Sequence, residues 1–297
     1  MSGRIPNDED SQDPHLRRSQ RGNIPRRRFE IEGESFLCAS IDVDEPASYQ
    51  EAITSPNSEK WIVSMKDEID SMAKNDVWEL VDLPPGRKAI GNNWILKIKR
   101  KSDGSIDKFK SRIVAKGYTQ KEGIDYEETF SHVVRFASIR LILAIVAHLN
   151  LELFQMDMKT VFLNGELDEE IYMAQPIGFV AKGQERKVCR LKCSIYGLKQ
   201  SSRQWNHRFY KAILTIGFVM TNEDHCVYVK RVDKSLLILS LYVDDILLAG
   251  NDMELINETR KWLSSVFEMK DMGVTNYVLG VRIHFYICLK RLISKGF

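Results

Sequence analysis

The segment Leu236-Leu-Ile-Leu-Ser-Leu-Tyr-Val-Asp-Asp-Ile-Leu-Leu-Ala-Gly250 places two adjacent acids in the middle of an otherwise apolar run. An unpaired carboxylate in such a run costs several kcal/mol, so its neighbours must either neutralise the charge or use it. A hairpin tip at which both acids meet water is the simpler interpretation. The flanking residues include no Gly, Asn or Pro to relax a turn, so we favour a functional role for Asp244 and Asp245.

A second strand that carries an acid lies upstream, in Phe154-Gln-Met-Asp-Met-Lys-Thr-Val-Phe162. If this strand lies beside the first, Asp157 converges with the acid pair. Three such carboxylates suit two divalent cations about 4 Å apart, one of which activates an attacking hydroxyl while the other holds a triphosphate and its leaving pyrophosphate. Mg²⁺ prefers oxygen ligands and completes its octahedron with substrate phosphates, so no His or Cys ligand is needed.

The remaining patterns alternate between helix and strand. Apolar residues at helical spacing predict an amphipathic helix that begins near Ser55-Pro56, with Ser as the cap and Pro at the first helical position. Further segments are predicted as strands at 94–99 and 109–115, a helix at 138–148, a strand at 151–158, a helix at 201–216, strands at 227–229 and 236–248, a helix at 253–267 and a strand at 277–285. The strand at 236–248 is interrupted by Asp244-Asp245. This interleaving indicates an α+β fold with an antiparallel sheet backed by helices.

Composition places the chain among ordinary globular proteins, with 43% apolar and 28% charged residues. No apolar run reaches the roughly 20 residues of a membrane helix, and no signal peptide is recognisable, so we expect an intracellular protein with no membrane partner. Residues 1–44 are polar and lack any sustained period, which predicts a disordered linker. Its clusters Arg17-Arg18 and Arg26-Arg27-Arg28 leave a nuclear localisation signal as the alternative.

A local basic patch is the other notable feature of charge. Between Lys97 and Lys121 the sequence has nine Lys or Arg residues against Asp103 and Asp107. The patch lies on two predicted strands joined by a turn, so it predicts a hairpin with basic edges.

Three segments of the sequence are distinctive: Tyr242-Val-Asp-Asp245, Gln155-Met-Asp-Met-Lys-Thr-Val-Phe-Leu-Asn-Gly165 and Ser194-Ile-Tyr-Gly-Leu-Lys-Gln200. Together they resemble the polymerase motifs of copia-type LTR retrotransposon reverse transcriptases. The resemblance also takes in Lys116-Gly-Tyr-Thr-Gln-Lys-Glu-Gly-Ile-Asp-Tyr126 and Phe267-Glu-Met-Lys-Asp-Met-Gly273, and it runs from about residue 45 to about residue 283.

The resemblance implies the fingers and palm of a right-hand polymerase over residues 45–283. The implied activity is RNA-directed DNA synthesis by two-metal nucleotidyl transfer. Asp157, Asp244 and Asp245 would be the catalytic residues and the ligands of two Mg²⁺ ions, with Mn²⁺ as an alternative. The implied partners are an RNA or DNA template with its primer, and deoxynucleoside triphosphates.

Substrate-binding roles follow from the same resemblance. Phe162 matches the bulky gate that selects deoxynucleotides, with a core phenylalanine as the alternative interpretation. Tyr196, Gly197 and Gln200 would lie beneath the incoming base pair, where glycine permits close approach of the backbone; a plain helix N-terminus is the alternative. Tyr242 joins this substrate-binding set.

The basic hairpin matches the fingers that bind the incoming triphosphate. Lys99, Arg100, Lys110 and Arg112 are the candidates, and cations there offset charge on the leaving group. The sequence does not choose among them, and a solvated surface charge is the alternative for each. The rest of the patch would contact template phosphates and bind less tightly as salt rises.

The chain departs from the family pattern in three places. His132 and Ser202 stand where family members usually have Pro. Residues 284–297 no longer resemble the family, and no thumb, connection, RNase H, protease or integrase domain is recognisable. These departures leave an alternative, a truncated and catalytically poor remnant that acts at most as a nucleic-acid-binding fragment.

Overall fold

The computed structural model describes residues 45–101, 103–274, 277–278 and 281–282, so the predicted linker 1–44 and tail 284–297 lie outside these ranges. The helices are α1 (Tyr49–Thr54), α2 (Ser58–Lys74), α3 (Phe136–Leu149), α4 (Ser201–Thr215) and α5 (Met253–Val266). The strands are β1 (Trp78–Val81), β2 (Asn92–Arg100), β3 (Ile106–Ala115), β4 (Glu152–Met158), β5 (Glu166–Met173), β6 (Val188–Cys193), β7 (Val219–Met220), β8 (Val227–Val232), β9 (Ser235–Tyr242), β10 (Asp245–Gly250), β11 (Met269–Val274), β12 (Tyr277–Val278) and β13 (Val281–Arg282). None of the helices in these ranges is long and apolar enough to cross a membrane.

A six-stranded antiparallel sheet in the order β11-β4-β10-β9-β8-β7 forms the centre of the fold. Successive residues of a strand point to opposite faces. Phe154, Met156 and Ile246 therefore share one face and pack with α4 and α5, whereas Leu153 and Leu247 share the other and pack with α3. Because both faces are covered, the central strands are apolar throughout, as their sequences required.

The β2–β3 pair forms a separate antiparallel hairpin. One face is buried against α2, where the ring of Phe109 meets the edge of Trp61 with centroids 4.7 Å apart. The other face carries the basic residues, since Lys97 lies opposite Lys110 and Lys99 opposite Lys108. A three-stranded sheet in the order β1-β6-β5 and the short β12–β13 pair are the other sheets of the described residues. The predicted mixture of helices and antiparallel sheet is confirmed.

The start of the first amphipathic helix was predicted wrongly. Ser55 ends α1 instead of beginning α2, because its N–H and its hydroxyl both donate to the carbonyl of Ala52. The short helix α1 begins after Ser48, whose hydroxyl accepts the N–H of Glu51. It has six residues, too few to show a helical period in the sequence. Within the last predicted strand, only β12 and β13 are described.

Gly197 allows two backbone segments to meet. Its φ is +91°, and a Cβ there would lie 2.2 Å from the carbonyl oxygen of Ala115 at the end of β3. The N–H of Ala115 donates to the carbonyl of Tyr196 at 2.8 Å, which fixes the contact. The close approach that this glycine permits is therefore to β3 of its own chain.

Replacing Gly197 with Ala should lower the free energy of unfolding by about 2–4 kcal/mol, because the Cβ meets backbone in addition to the unfavourable φ. Gly183→Ala is the matched control, since Gly183 has φ +76° with nothing within 4 Å of the added Cβ. It should cost about 1 kcal/mol through backbone strain alone. Urea unfolding of both variants checks this, and equal losses would contradict the contact.

Candidate active site

The turn between β9 and β10 brings the acid pair to the end of the sheet. Tyr242 pairs directly with Asp245, which leaves Val243 and Asp244 as the two central residues. Val243 has φ +55°, which is unusual for a β-branched residue. A hairpin tip is therefore the correct interpretation of the backbone at the acid pair. The expectation that a turn here requires Gly, Asn or Pro is wrong.

Two hydrogen bonds from neighbouring elements support this turn. The indole N–H of Trp205 on α4 donates to the carbonyl of Val243 at 2.8 Å. The N–H of Met158, at the end of β4, donates to the carbonyl of Asp244 at 2.9 Å. Tertiary bonds thus stabilise a turn conformation that local sequence disfavours.

The three aspartates meet at this turn. Asp157 on β4 is the direct cross-strand partner of Asp245 on β10, and Asp244 lies in the adjoining turn. All three are partly buried. Burial, followed by the charge of Asp244, raises the pKa of Asp157. Burial likewise raises the pKa of Asp245, with further contributions from Asp244 and Asp157. The carboxylates are therefore close enough to repel one another.

Two residues beside the acids were missed in the sequence. The side-chain amide of Gln155 donates to Oδ1 of Asp245 at 2.9 Å, which works against the rise in the pKa of that carboxyl. Lys270 on β11 is the cross-strand partner of Asp157, and its charge works against the rise in pKa there. Both residues lie in segments that resemble the copia-type family, but the resemblance implied no role for either of them.

Asp157 and Asp244 open into a cleft of about 500 Å³ that is also lined by the basic face of the hairpin. Its lining among the described residues is Ser64, Asp67, Glu68, Lys108, Phe109, Lys110, Ser111, Arg112, Asp157, Met158, Lys159, Thr160, Leu163, Tyr196, Asp244 and Lys270. Carboxylates from the sheet and cations from the hairpin therefore share one space. Such a space suits a ligand that carries both a metal ion and phosphate groups.

The cations of the cleft are crowded. Burial, then the charges of Arg112, Lys108 and Lys99, lowers the pKa of Lys110. Glu68 on α2 offsets part of this, and burial raises the pKa of its own carboxyl. A cluster of like charges beside an acidic site favours an anion that can neutralise several of them at once.

Of the aromatic candidates, Tyr196 lines this cleft, and Phe162 and Tyr242 are not part of the lining that the described residues form. The guanidinium of Arg112 lies 4.5 Å from the ring centre of Tyr196. The edge of Phe162 meets the same Tyr196 ring, with centroids 4.9 Å apart. Phe162 is half-buried and borders a separate small cavity. Tyr242 is also half-buried, and its ring lies 6.3 Å from that of Phe136.

Three other candidates lie away from the cleft lining that the described residues form. Lys99 is not part of that lining, and its charge helps to lower the pKa of Lys110. Arg100 donates to the carbonyl of Gly104 in the hairpin turn at 3.3 Å. Gly197 packs against β3, as described above.

Gln200 is fully buried, and its amide binds protein groups. Its Oε1 accepts from Gln120 at 3.1 Å, and its Nε2 donates to the carbonyl of Asp125 at 2.9 Å. The structure thus gives Gln200 a supporting position, which ties the segment around Gln120 to the start of α4. In this buried position the side chain of Gln200 does not reach a nucleotide, contrary to the expectation from the sequence.

The side-chain donors at this site determine whether a divalent cation fits. Within the described ranges, no three His, Cys, Asp or Glu side chains already form a cluster that could hold a metal ion. Asp157, Asp244 and Asp245 nevertheless supply the oxygen ligands that Mg²⁺ prefers, and their mutual repulsion favours a cation between them. Mg²⁺ commonly takes one or two carboxylates and completes its shell with water and phosphate. These residues therefore fit an ion that binds together with a nucleotide.

Comparison with known proteins identifies the family of the chain. The family described as reverse transcriptase (RNA-dependent DNA polymerase) matches residues 75–297, so the chain belongs to the reverse transcriptase family. The chain is 42% identical over 269 residues to the retrovirus-related Pol polyprotein from transposon TNT 1-94 of Nicotiana tabacum, covering 90% of this chain and 20% of that protein. It is 41% identical over 231 residues to the corresponding polyprotein from transposon RE1 of Arabidopsis thaliana, covering 77% of this chain and 16% of that protein.

The resemblance to copia-type elements is thereby confirmed, and the chain spans a fifth or less of the length of these two relatives. A solved structure of the foamy viral protease-reverse transcriptase in complex with double-stranded DNA is also similar. The identity is 14% and the TM-score 0.31, with 72% of this chain and 31% of that chain covered.

Asp157→Asn should raise the melting temperature at pH 7 by about 1–3 °C, because the raised pKa means that the ionised carboxylate destabilises the fold. A raised folded-state pKa favours folding at low pH and loses that contribution as pH rises. The gain from Asn should therefore shrink as pH falls and vanish below the ordinary pKa of 3.8. Thermal melts across this pH range, without divalent cations, check the expectation.

Asp224→Asn is the matched control of opposite sign. Although burial raises the pKa of Asp224, hydrogen bonds from the hydroxyl of Ser138 and the N–H of Arg135 bring it below its usual range. Its ionised form therefore stabilises the fold at neutral pH, and the variant should melt at a lower temperature there. A destabilised Asp157→Asn at pH 7 would contradict the repulsion between the aspartates.

Proposed function

We propose that this chain catalyses RNA-directed DNA synthesis by two-metal transfer of deoxynucleotides onto a primer 3′-hydroxyl. The six-stranded sheet would be the palm, and the β2–β3 hairpin would belong to the fingers of a right-hand polymerase. One observation carries the proposal: Asp157 faces Asp245 across neighbouring strands, and Asp157 and Asp244 open into the cleft that the cationic hairpin borders.

Asp157, Asp244 and Asp245 would hold two Mg²⁺ ions, with Mn²⁺ as the alternative. When bound, the ions would lower the pKa of the primer hydroxyl and offset charge on the triphosphate and the leaving pyrophosphate. In the reaction, the 3′-oxygen forms a bond to the α-phosphorus as the bond to pyrophosphate breaks. The aspartates would orient these groups from two paired strands and the adjoining turn, which limits the reorganisation that the reaction requires.

Lys110 and Arg112 are the hairpin residues best placed to bind the triphosphate, because both line the cleft together with Asp157. Lys108, which the sequence argument did not single out, lines the same space. Cations at these positions stabilise negative charge that develops on the leaving group. Lys99 and Arg100 lie further along the hairpin and would act on template phosphates instead.

Arg112, Tyr196 and Phe162, which contact one another in that order, would border the sugar and base of the incoming nucleotide. Phe162 would exclude a 2′-hydroxyl and so select deoxynucleotides. Its half-buried ring rests on Tyr196, which in turn lies beneath Arg112, so the gate would be rigid. The partners are a primed RNA or DNA template and deoxynucleoside triphosphates, and the intact protein would be part of a larger Pol polyprotein.

Primer extension on an RNA template with deoxynucleotides and Mg²⁺ tests the proposal. Asp244→Asn should lower the extension rate by at least about 100-fold, because it removes an anionic ligand while keeping the side-chain size. Asp233→Asn is the control, since Asp233 is exposed in the tight turn between β8 and β9 of the same sheet. It should extend primers at the wild-type rate.

Equal rates for the wild-type chain and Asp244→Asn would refute the catalytic assignment. If that chain still bound the primed template, the second candidate, a nucleic-acid-binding fragment without activity, would take its place.

A further inference from the structure

Gln155 is a neutral polar residue beside the acids, and its amide donates to one identified carboxylate oxygen, Oδ1 of Asp245. It lies two residues before Asp157 on β4, so the two side chains leave the same face of the sheet. Its direct cross-strand partner on β10 is Leu247. The amide therefore reaches Asp245 along the diagonal, where Nε2 and Oδ1 are 2.9 Å apart.

The length of the side chain matters for this contact. Diagonal neighbours on adjacent strands are about 7–8 Å apart, a span that only long side chains cross. Glutamine crosses it, whereas asparagine is one methylene shorter. The contact between Gln155 and Asp245 therefore requires both this strand register and a glutamine at position 155.

The two facing acids consequently have different neighbours. Asp157 lies opposite Lys270 on β11, whose positive charge acts on it, and Asp245 accepts from the neutral amide of Gln155. A carboxylate has two oxygens, and the amide occupies only Oδ1. A neutral donor fixes the orientation of the carboxylate without adding a positive charge that would compete with a cation at Oδ2.

We propose that Gln155 is a positioning residue whose amide holds the carboxylate of Asp245 in the orientation that presents its second oxygen to the catalytic cation. This inference rests on the proposed function, because it takes Asp245 as a metal ligand. Groups that orient metal ligands through hydrogen bonds typically change metal affinity about 10–100-fold when they are removed. Gln155 should therefore act on cation binding and leave nucleotide contacts to the hairpin.

Direct measurement of Mn²⁺ binding gives a readout that does not depend on turnover. The full chain is bound to an RNA template with a chain-terminated primer and the next deoxynucleotide, and free Mn²⁺ is followed by electron paramagnetic resonance. Gln155→Met keeps the size but removes the donor, and Gln155→Asn keeps the amide but removes its reach. Each should raise the dissociation constant for Mn²⁺ about 10–100-fold.

Gln175→Met is the matched control, because the amide of Gln175 donates to the carbonyls of Gln184 and Lys187 in a loop outside the cleft lining. It should bind Mn²⁺ as the wild-type chain does. In primer extension, the Gln155 variants should need about 10-fold more Mg²⁺ for half-maximal rate, with the KM for deoxynucleotide unchanged at saturating Mg²⁺.

Wild-type Mn²⁺ affinity in both Gln155 variants would overturn the proposal and leave the proposed function intact. Unfolding of both variants while Gln175→Met stays folded would also overturn it, since Gln155 would then serve stability. Asp245→Asn completes the set: unchanged Mn²⁺ binding in that variant would show that Asp245 is not a ligand, and the failure would then lie with the proposed function.

Discussion

The two-residue turn at Val243 and Asp244 is the constraint on which the rest of the site depends. It sets the register of β10 against β9, and the bond from the N–H of Met158 to the turn holds β10 beside β4 with Asp245 opposite Asp157. A slip of one residue would turn Asp245 to the face that packs against α4 and α5. The turn is disfavoured by its own sequence, because Val243 has φ +55°. Bonds from Trp205 and Met158 therefore couple the position of the acids to the packing of α4 and to the end of β4.

The three carboxylates are tolerated among apolar strands because they lie at the end of the sheet, where the cleft begins. Further along the same strands, Leu153 and Leu247 are covered by α3, whereas Asp157 and Asp244 open into the cleft. Lys270 and the cations of the hairpin lie around that space, so the repulsion between the acids is partly offset across the cleft. Repulsion among the aspartates and repulsion among the hairpin cations are both unfavourable. A negatively charged substrate that carries a metal ion would reduce both.

The sequence was sufficient for the features that depend on short-range periodicity. The apolar runs of β4 and β10 and the helical spacing in α2 and α4 predicted the element types, and the isolated acids predicted the site. It failed where a residue's role depends on tertiary contacts. The turn at Val243 has no local signal because α4 supports it from a distance. Gln200 looked like a nucleotide contact until its buried partner Gln120 was known, and Glu68 was missed because helical spacing does not show which polar face meets a cleft.

The central claim is that Asp157, Asp244 and Asp245 converge on divalent cations that also bind the nucleotide. The most direct measurement is a crystal structure of the chain with Mn²⁺, a chain-terminated primer on its template and the next deoxynucleotide, using anomalous scattering to locate the metal. The account predicts anomalous peaks between these three carboxylates and the triphosphate, with Lys110 or Arg112 on the phosphates. Peaks elsewhere, or a triphosphate bound with the carboxylates turned away from it, would contradict the account.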